Sequence, residues 1–134
     1  MATVTLTKDN IEDVIRADNM VIVDFWAGWC EPCKAFGPVF DKVSDNHPDV
    51  TFAKVDVEAE VDLAQGFNVR SIPTVAVLRD RVMLFNQAGA LPESDLESVV
   101  SQGKAVDMDS VHAEIARQQA AEDEAGNPAP SNAS

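Results

Sequence analysis

Residues 21–34 read VIVDFWAGWCEPCK, and this stretch decides the fold of the 134-residue chain. Its first six residues are almost all apolar and rich in β-branched side chains, which predicts a central strand buried on both faces. From Phe36 onward, apolar residues recur at i, i+3, i+4 and i+7, which predicts a helix over 33–46 that continues past Pro38. Cys30 and Cys33 therefore lie where a strand passes into a helix.

Strand and helix patterns alternate on both sides of this stretch. The other strands are predicted at 4–6, 51–57, 74–78 and 82–85. The other helices are predicted near 11–15, 63–67 and 91–100. Only a tight turn at Asp80 and Arg81 separates the last two strands, so they form an antiparallel hairpin whose turn residues need positive φ. This order predicts an α/β fold with a mixed five-stranded central sheet and helices on both faces.

The composition changes near residue 103. Residues 1–103 hold 32 of the 35 Leu, Ile, Val and Phe residues, so we expect the folded domain there. Residues 104–134 form an acidic, alanine-rich extension carrying −4 of the net charge of −13. A narrow apolar stripe predicts a short helix at about 109–120, and the end after it is predicted to be disordered. Whether the extension has no role, docks on the domain or docks on a partner stays open.

The charge balance excludes several classes of protein. Lys and Arg total 10 against 23 Asp and Glu, which argues against nucleic-acid binding, because phosphate backbones need clustered cations. No apolar run approaches the roughly 20 residues of a membrane span. Electrostatic repulsion between two copies of a chain with a net charge of −13 favours a monomer. The first ten residues lack a basic patch followed by an apolar stretch, so we expect no signal peptide and a cytoplasmic protein.

The chain has two cysteines, spaced C-x-x-C. In a reducing compartment a structural disulfide would not persist, so the pair is catalytic or half of a metal site. Zinc needs about four ligands, and the only histidines are His47, interpreted as a surface residue at a helix end, and His112 in the extension. We therefore predict no metal site, and no bound cofactor, because the glycines are too scattered for a nucleotide-binding loop.

A helix start suits thiol chemistry, because unpaired N–H groups and the helix dipole stabilise an anion there. The thiolate is the form that attacks a disulfide. We predict that Cys30, at the exposed edge, is the nucleophile. Cys33, one turn inside and more buried, then attacks the sulfur of Cys30 and releases the reduced substrate. Pro32 stiffens the loop and suits the first helical turn.

Residues 23–34 resemble the active-site segment of the thioredoxin family. The segments AKVDV at 53–57, RSIPT at 70–74 and AGAL at 88–91 follow in that family's order and spacing. The resemblance covers about residues 4–101. It implies the thioredoxin fold and a protein-disulfide reductase that exchanges dithiol for disulfide. It also implies disulfide-containing protein substrates and a separate NADPH-dependent thioredoxin reductase.

The resemblance also implies roles for individual residues. Asp24 matches the family's buried carboxylate, whose pKa burial should raise, and which could accept the proton of Cys33. Lys54 on the adjacent strand could modulate it. Pro73 matches the family's cis proline facing the disulfide. The residues expected to bind substrate are Trp29, Ile72, Pro73, Thr74, Ala88 and Gly89.

Glu31 departs from the family pattern, which usually has glycine after the first cysteine. A carboxylate beside Cys30 disfavours its thiolate, so Glu31→Gly should lower the pKa of Cys30 and raise the reduction potential.

Two other classes of function stay open at this point. A binding module using the same groove would retain its function after Cys30→Ser and Cys33→Ser. An oxidase or isomerase would need a stabilised thiolate and an export signal. All three share one fold and separate by reduction potential.

Overall fold

The structure is a computed structural model that describes residues 3–17 and 19–126. The described strands are β1 (Thr3–Thr5), β2 (Met20–Trp26), β3 (Thr51–Asp56), β4 (Thr74–Arg79) and β5 (Val82–Ala88). The described helices are α1 (Ile11–Ala17), α2 (Glu31–Asn46), α3 (Val61–Gly66), α4 (Glu93–Ala105) and α5 (Met108–Gly126). The element order agrees with the sequence prediction, and β5 and α4 run several residues further than predicted.

The strands form one mixed sheet in the order β1-β3-β2-β4-β5. β1, β3 and β2 are parallel to one another, whereas β4 is antiparallel to both β2 and β5. Asp80 and Arg81 join β4 to β5 with φ values of 52° and 66°, which confirms the positive-φ turn. β2 therefore lies at the centre, and its carboxyl end leads directly to the cysteines.

Helices cover both faces of the sheet. Partly buried residues of α1 and α3 pack on one face, which is formed by Leu6, Val21, Val23, Phe25, Ala53, Val55, Ala76 and Leu78. α2 and α4 pack on the other face and share a second buried cluster with it. The members of this cluster are Met20, Ile22, Phe36, Phe40, Val43, Val50, Phe52, Val75, Val77, Leu96 and Val100. Alternate residues of β2 thus point to opposite faces, and the even-numbered ones face α2 and α4.

The extension begins as a continuation of the packed domain. Arg79 donates from Nη1 to the carbonyl oxygens of Gly103, Lys104 and Val106, at 2.8–2.9 Å, and so caps the end of α4. Met108 at the start of α5 is buried. α5 is longer than the predicted helix, and the predicted disorder at 127–134 lies outside the described residues. Over 3–17 and 19–126, no helix combines the length and the apolar character that a membrane crossing requires.

Candidate active site

Cys30 and Cys33 form a disulfide at the start of α2. Cys30 is the N-cap residue, and its sulfur accepts a hydrogen bond from the backbone N–H of Cys33 at 3.2 Å. A sulfur in this position receives one of the N–H groups that a helix start leaves unpaired. Pro32 occupies the first turn, as predicted, and α2 runs through Pro38 to Asn46. The local sequence therefore places a thiolate-stabilising donor at Cys30.

The predicted difference in burial between the two cysteines was wrong. Both have an exposed fraction of 4% in the disulfide form. The two sulfurs differ instead in their neighbours. Cys30 Sγ lies 3.8 Å from the carbonyl oxygen of Ile72, whereas Cys33 lines a cleft on the α2 side of the sheet. The two cysteines are equally buried because Trp26, Val57 and Ile72, from different parts of the chain, pack against the cluster that both belong to.

Asp24 lies at the bottom of that cleft. Its position on β2, two residues after Ile22, turns it toward α2, and its exposed fraction is 1%. The cleft has a volume of about 320 Å³, and Gly37 and Lys54 also line it. The Oδ1 atom of Asp24 has no hydrogen-bond partner among the described residues. A volume of this size admits water beside a carboxylate that the protein itself leaves unsatisfied.

Burial raises the pKa of Asp24 from 3.8 to about 7. Loss of hydration is the largest cause, because the low-dielectric interior disfavours the charged form. Lys54 opposes this rise and Asp41 adds to it. The predicted upward shift is therefore present, and it gives Asp24 a proton affinity suited to exchange near neutral pH.

Lys54 is the residue of β3 directly opposite Asp24 in the parallel register. Its ammonium group nevertheless makes an ion pair with Asp41 on α2, at 3.1 Å. Both side chains of this pair are partly buried. Sequence reasoning paired Lys54 with Asp24 alone and missed Asp41. The helical period carried the signal, since Cys33, Gly37 and Asp41 share one stripe of α2 at i, i+4 and i+8.

On the opposite side of the disulfide, the Ile72–Pro73 peptide bond is cis, as the resemblance implied. The carbonyl oxygen of Pro73 accepts from the backbone N–H of Gly89 at 2.8 Å. Gly89 has a backbone φ of 115°, which residues with a side chain rarely adopt. No atom lies within 4 Å of the position that a Cβ would occupy there. Gly89 thus leaves open space beside Pro73.

Trp29, next to Cys30, has an exposed fraction of 64%. Its indole N–H donates to the Glu58 carboxylate at 2.5 Å, a bond that sequence reasoning missed. Trp29, Val57 and Ile72 line a mainly apolar groove of about 420 Å³. Fixing one edge of an exposed indole leaves its apolar face turned to a partner at low entropic cost.

The two other predicted groove residues lie beside each other. Thr74 pairs with Ala88 across β4 and β5, and both line a second cleft of about 400 Å³. Thr74 is buried and its hydroxyl donates to the Ser71 carbonyl oxygen at 2.6 Å. Its side-chain donor is therefore already used, whereas Ala88 is exposed.

Glu31 points into solvent. Its side chain has an exposed fraction of 83%, and its carboxylate pairs with Lys34 at 3.1 Å. The negative charge beside Cys30 is therefore partly neutralised and fully hydrated.

His47 lies at the end of α2, as predicted, but its side chain is mostly buried rather than at the surface. Its ring bonds to Glu97 at 2.6 Å and Lys104 at 2.7 Å on α4. It therefore ties two helices together at a distance from the disulfide. Among residues 3–17 and 19–126, no group of three or more His, Cys, Asp and Glu side chains could hold a metal ion.

Comparisons with known proteins agree with this geometry. The thioredoxin family model matches residues 2–102. The Streptomyces coelicolor protein named "Putative thioredoxin 2" is 48% identical over 119 residues, which cover 89% of each chain. An alignment of 119 residues is longer than the part of the chain that the family model covers, so this match includes residues of the extension.

Two further relatives support the same assignment. Thioredoxin C-2 of Corynebacterium nephridii is 41% identical over 101 residues, which cover 74% of this chain and 94% of the relative. The crystal structure of Fasciola hepatica thioredoxin superposes with a TM-score of 0.71 at 29% identity, covering 75% of this chain and 99% of the other. The cysteine pair, its helix-start setting and these relatives agree: the chain belongs to the thioredoxin family and is a thiol-disulfide oxidoreductase that acts by dithiol-disulfide exchange.

Proposed function

We propose that Cys30 attacks substrate disulfides and that Cys33, assisted by Asp24, completes the exchange. The observation that carries this assignment is the difference in neighbours: Cys33 and Asp24 line one cleft, whereas Cys30 faces the substrate groove at Ile72. The helix-start N–H at 3.2 Å from Cys30 stabilises the attacking thiolate.

The exchange then runs in two balanced steps. The Cys30 thiolate attacks one sulfur of the substrate disulfide, which forms a mixed disulfide and releases a substrate thiolate that takes up a proton. Cys33 gives its proton to the Asp24 carboxylate, directly or through cleft water, and attacks the sulfur of Cys30. The Cys30–Cys33 disulfide forms, and the second substrate sulfur leaves as a thiolate, which takes up a proton from Asp24 or from solvent. Two electrons pass from the protein to the substrate.

The substrate in this proposal is an extended protein segment that contains a disulfide. Trp29 and Ile72 contact its apolar side chains, while the open space at Gly89 and the backbone beside Pro73 accommodate its main chain as an added strand. Ala88 and the Thr74 backbone extend the same surface. The family membership supports an NADPH-dependent thioredoxin reductase as the partner that restores the dithiol.

The remaining parts of the proposal concern the protein's state. The redox group is the cysteine pair itself, with no bound cofactor. We propose a monomer, because the net charge of −13 opposes self-association. We propose a cytoplasmic location, because a reductant must work where its own reductase can regenerate it.

A trapping experiment tests the assignment of the cysteines. Reduced Cys33→Ser should form a stable mixed disulfide with a disulfide-bonded protein, because no second thiol remains to resolve it. Multiple turnover should fall by more than 99%, which corresponds to a rise of about 3 kcal/mol in the activation free energy. Cys30→Ser, the matched control, should form far less adduct. Stronger trapping by Cys30→Ser would reverse the assignment, and equal trapping by both variants would remove it.

A redox titration separates the remaining classes of function. Trp26 and Trp29 lie within four residues of Cys30, so their fluorescence reports the state of the disulfide in dithiothreitol buffers. A single two-electron transition in the strongly reducing range is expected. A transition in the oxidising range would instead indicate an oxidase or isomerase, and function retained without either cysteine would indicate a binding module.

A further inference from the structure

Asp41 lies on α2, and its carboxylate contacts Lys54, the β3 residue directly opposite Asp24. In β2 and β3, Asp24 and Lys54 are directly paired residues whose side chains leave the same face of the sheet. A lysine beside a buried carboxylate would ordinarily form an ion pair with it. Within the described chain, Lys54 Nζ instead lies 3.1 Å from Asp41 Oδ1, an ion-pair contact that lacks hydrogen-bond geometry, and Asp24 Oδ1 has no hydrogen-bond partner.

We propose that Asp41 is a positioning residue, which holds the Lys54 ammonium on the α2 side of the cleft and so keeps Asp24 able to take up the proton of Cys33. This inference rests on the proposed role of Asp24. If Lys54 bonded directly to Asp24, the carboxylate would be held in its charged form and would be a weaker base. The direct field of Asp41 acts in the same sense, since it raises the pKa of Asp24.

The surrounding groups leave Lys54 as the main cation that can move toward Asp24. α2 contributes Cys33, Asp41 and Lys34, and the ammonium of Lys34 is paired with Glu31 at the surface. On the other side of β2, the β4 residue opposite Asp24 is Val75, which carries no charge. Gly37 leaves the space between Cys33 and Asp41 open, so the Lys54 side chain has room to change partner.

The test measures the titration midpoint of Asp24 in the oxidised protein by carboxyl NMR, which does not depend on turnover. Asp41→Asn should lower this midpoint by about one pH unit or more, as expected when a cation approaches a carboxylate. Asp41→Glu should largely retain the wild-type midpoint. Asp62→Asn, which removes an exposed acid from α3, is the charge-matched control and should leave it unchanged.

A double-mutant cycle separates positioning from a simple charge effect. In a Lys54→Met background, Asp41→Asn should move the midpoint much less than it does in the wild type. An equal shift in both backgrounds would show that Asp41 acts through its own field, and no shift in either would remove it from the site; each result overturns the proposal.

Kinetics then distinguish this failure from failure of the proposed function. The rate of release from the mixed disulfide should follow the shifted midpoint in Asp41→Asn, so its pH profile should move in parallel. If the NMR midpoint moves while the release profile does not, Asp24 is not the base and the proposed role of Asp24 fails. Wild-type tryptophan fluorescence and a retained disulfide confirm that each variant is folded.

Discussion

The two sides of the disulfide contain charges in opposite physical settings. On the Cys33 side, Asp24 has an exposed fraction of 1% and an unpaired carboxylate oxygen. On the Cys30 side, Glu31 is nearer in sequence to a cysteine, yet its side chain is 83% exposed and paired with Lys34. Water and the lysine screen the second charge, whereas the interior leaves the first unscreened. Burial, more than closeness in sequence, decides which acid controls the chemistry.

The contrast also separates the roles of the two sides of the disulfide. The buried side adjusts proton affinity, and its variants should change pH profiles and stability. The exposed side presents an apolar surface and a screened charge, so its variants should change substrate affinity or, weakly, the pKa of Cys30, without altering the fold. Three substitutions probe this division, beginning with the most deeply buried residue.

Asp24→Asn should give the largest effect, an increase in stability that grows with pH. The pKa of Asp24 is about 7 in the folded protein against 3.8 as the unfolded reference. Between these values the folded state holds a proton that the unfolded state has released. The contribution of Asp24 to wild-type stability therefore falls as pH rises from about 4 to about 7, by up to roughly 4 kcal/mol at the limit. The amide does not titrate, so the variant should lack this fall.

Urea unfolding of the oxidised protein at pH 4, 6 and 8 measures the difference. The variant should match the wild type most closely at the lowest pH and exceed it most at the highest. Asp62→Asn on the exposed surface of α3 is the control and should follow the wild type throughout. A difference in unfolding free energy between Asp24→Asn and the wild type that does not grow over this interval would place Asp24 in contact with water and remove the contrast.

Trp29→Ala should give the next largest effect, confined to substrate binding. Loss of the exposed indole removes much of the apolar groove, and about 1.4 kcal/mol of lost contact corresponds to a tenfold lower kcat/KM toward a disulfide-bonded protein. A small-molecule disulfide that does not fill the groove should be reduced at the wild-type rate. Stability should change by less than about 0.5 kcal/mol, because the side chain is mostly exposed.

Trp29→Phe refines this measurement. It keeps an aromatic face but removes the indole donor to Glu58, so its kcat/KM should lie between those of the wild type and the alanine variant. Val61→Ala removes an exposed apolar side chain outside the groove and serves as the control. Equal losses toward the protein and the small disulfide would mean that Trp29 acts on the cysteines rather than on the substrate.

Local and periodic features of the site were predictable from the sequence. The apolar strand pattern followed by a helical pattern predicted that the cysteines lie at the start of a helix. The short connection between the last two strands predicted positive φ at Asp80 and Arg81. The cis bond before Pro73 came only from the family resemblance, because an X–Pro pair by itself does not specify its isomer. Period-2 alternation in a central strand likewise turns Asp24 toward one helical layer.

Features that depend on packing between distant segments were missed. The Trp29 bond to Glu58 and the Lys54 ion pair with Asp41 join different elements. The helical period places Asp41 on the stripe of Cys33, but nothing in the local sequence specifies either partner. The burial of His47 depends on where α4 crosses the end of α2. Equal burial of the two cysteines has the same origin, since several elements together cover the disulfide.

Glu31→Gly should give the smallest effect and so marks the lower end of the contrast. The pKa of Cys30 in the reduced protein should fall by about half a unit or less, with a small rise in reduction potential, because solvent and Lys34 already screen the carboxylate. Thiolate ultraviolet absorbance against pH gives the pKa, and Glu31→Gln repeats the test without adding a glycine to the helix start. Lys34→Met should shift the pKa upward, because it removes the cation that screens Glu31. A shift for Glu31→Gly larger than a full unit, or one of opposite sign, would mean that exposed charge governs this thiol as strongly as buried charge governs its partner.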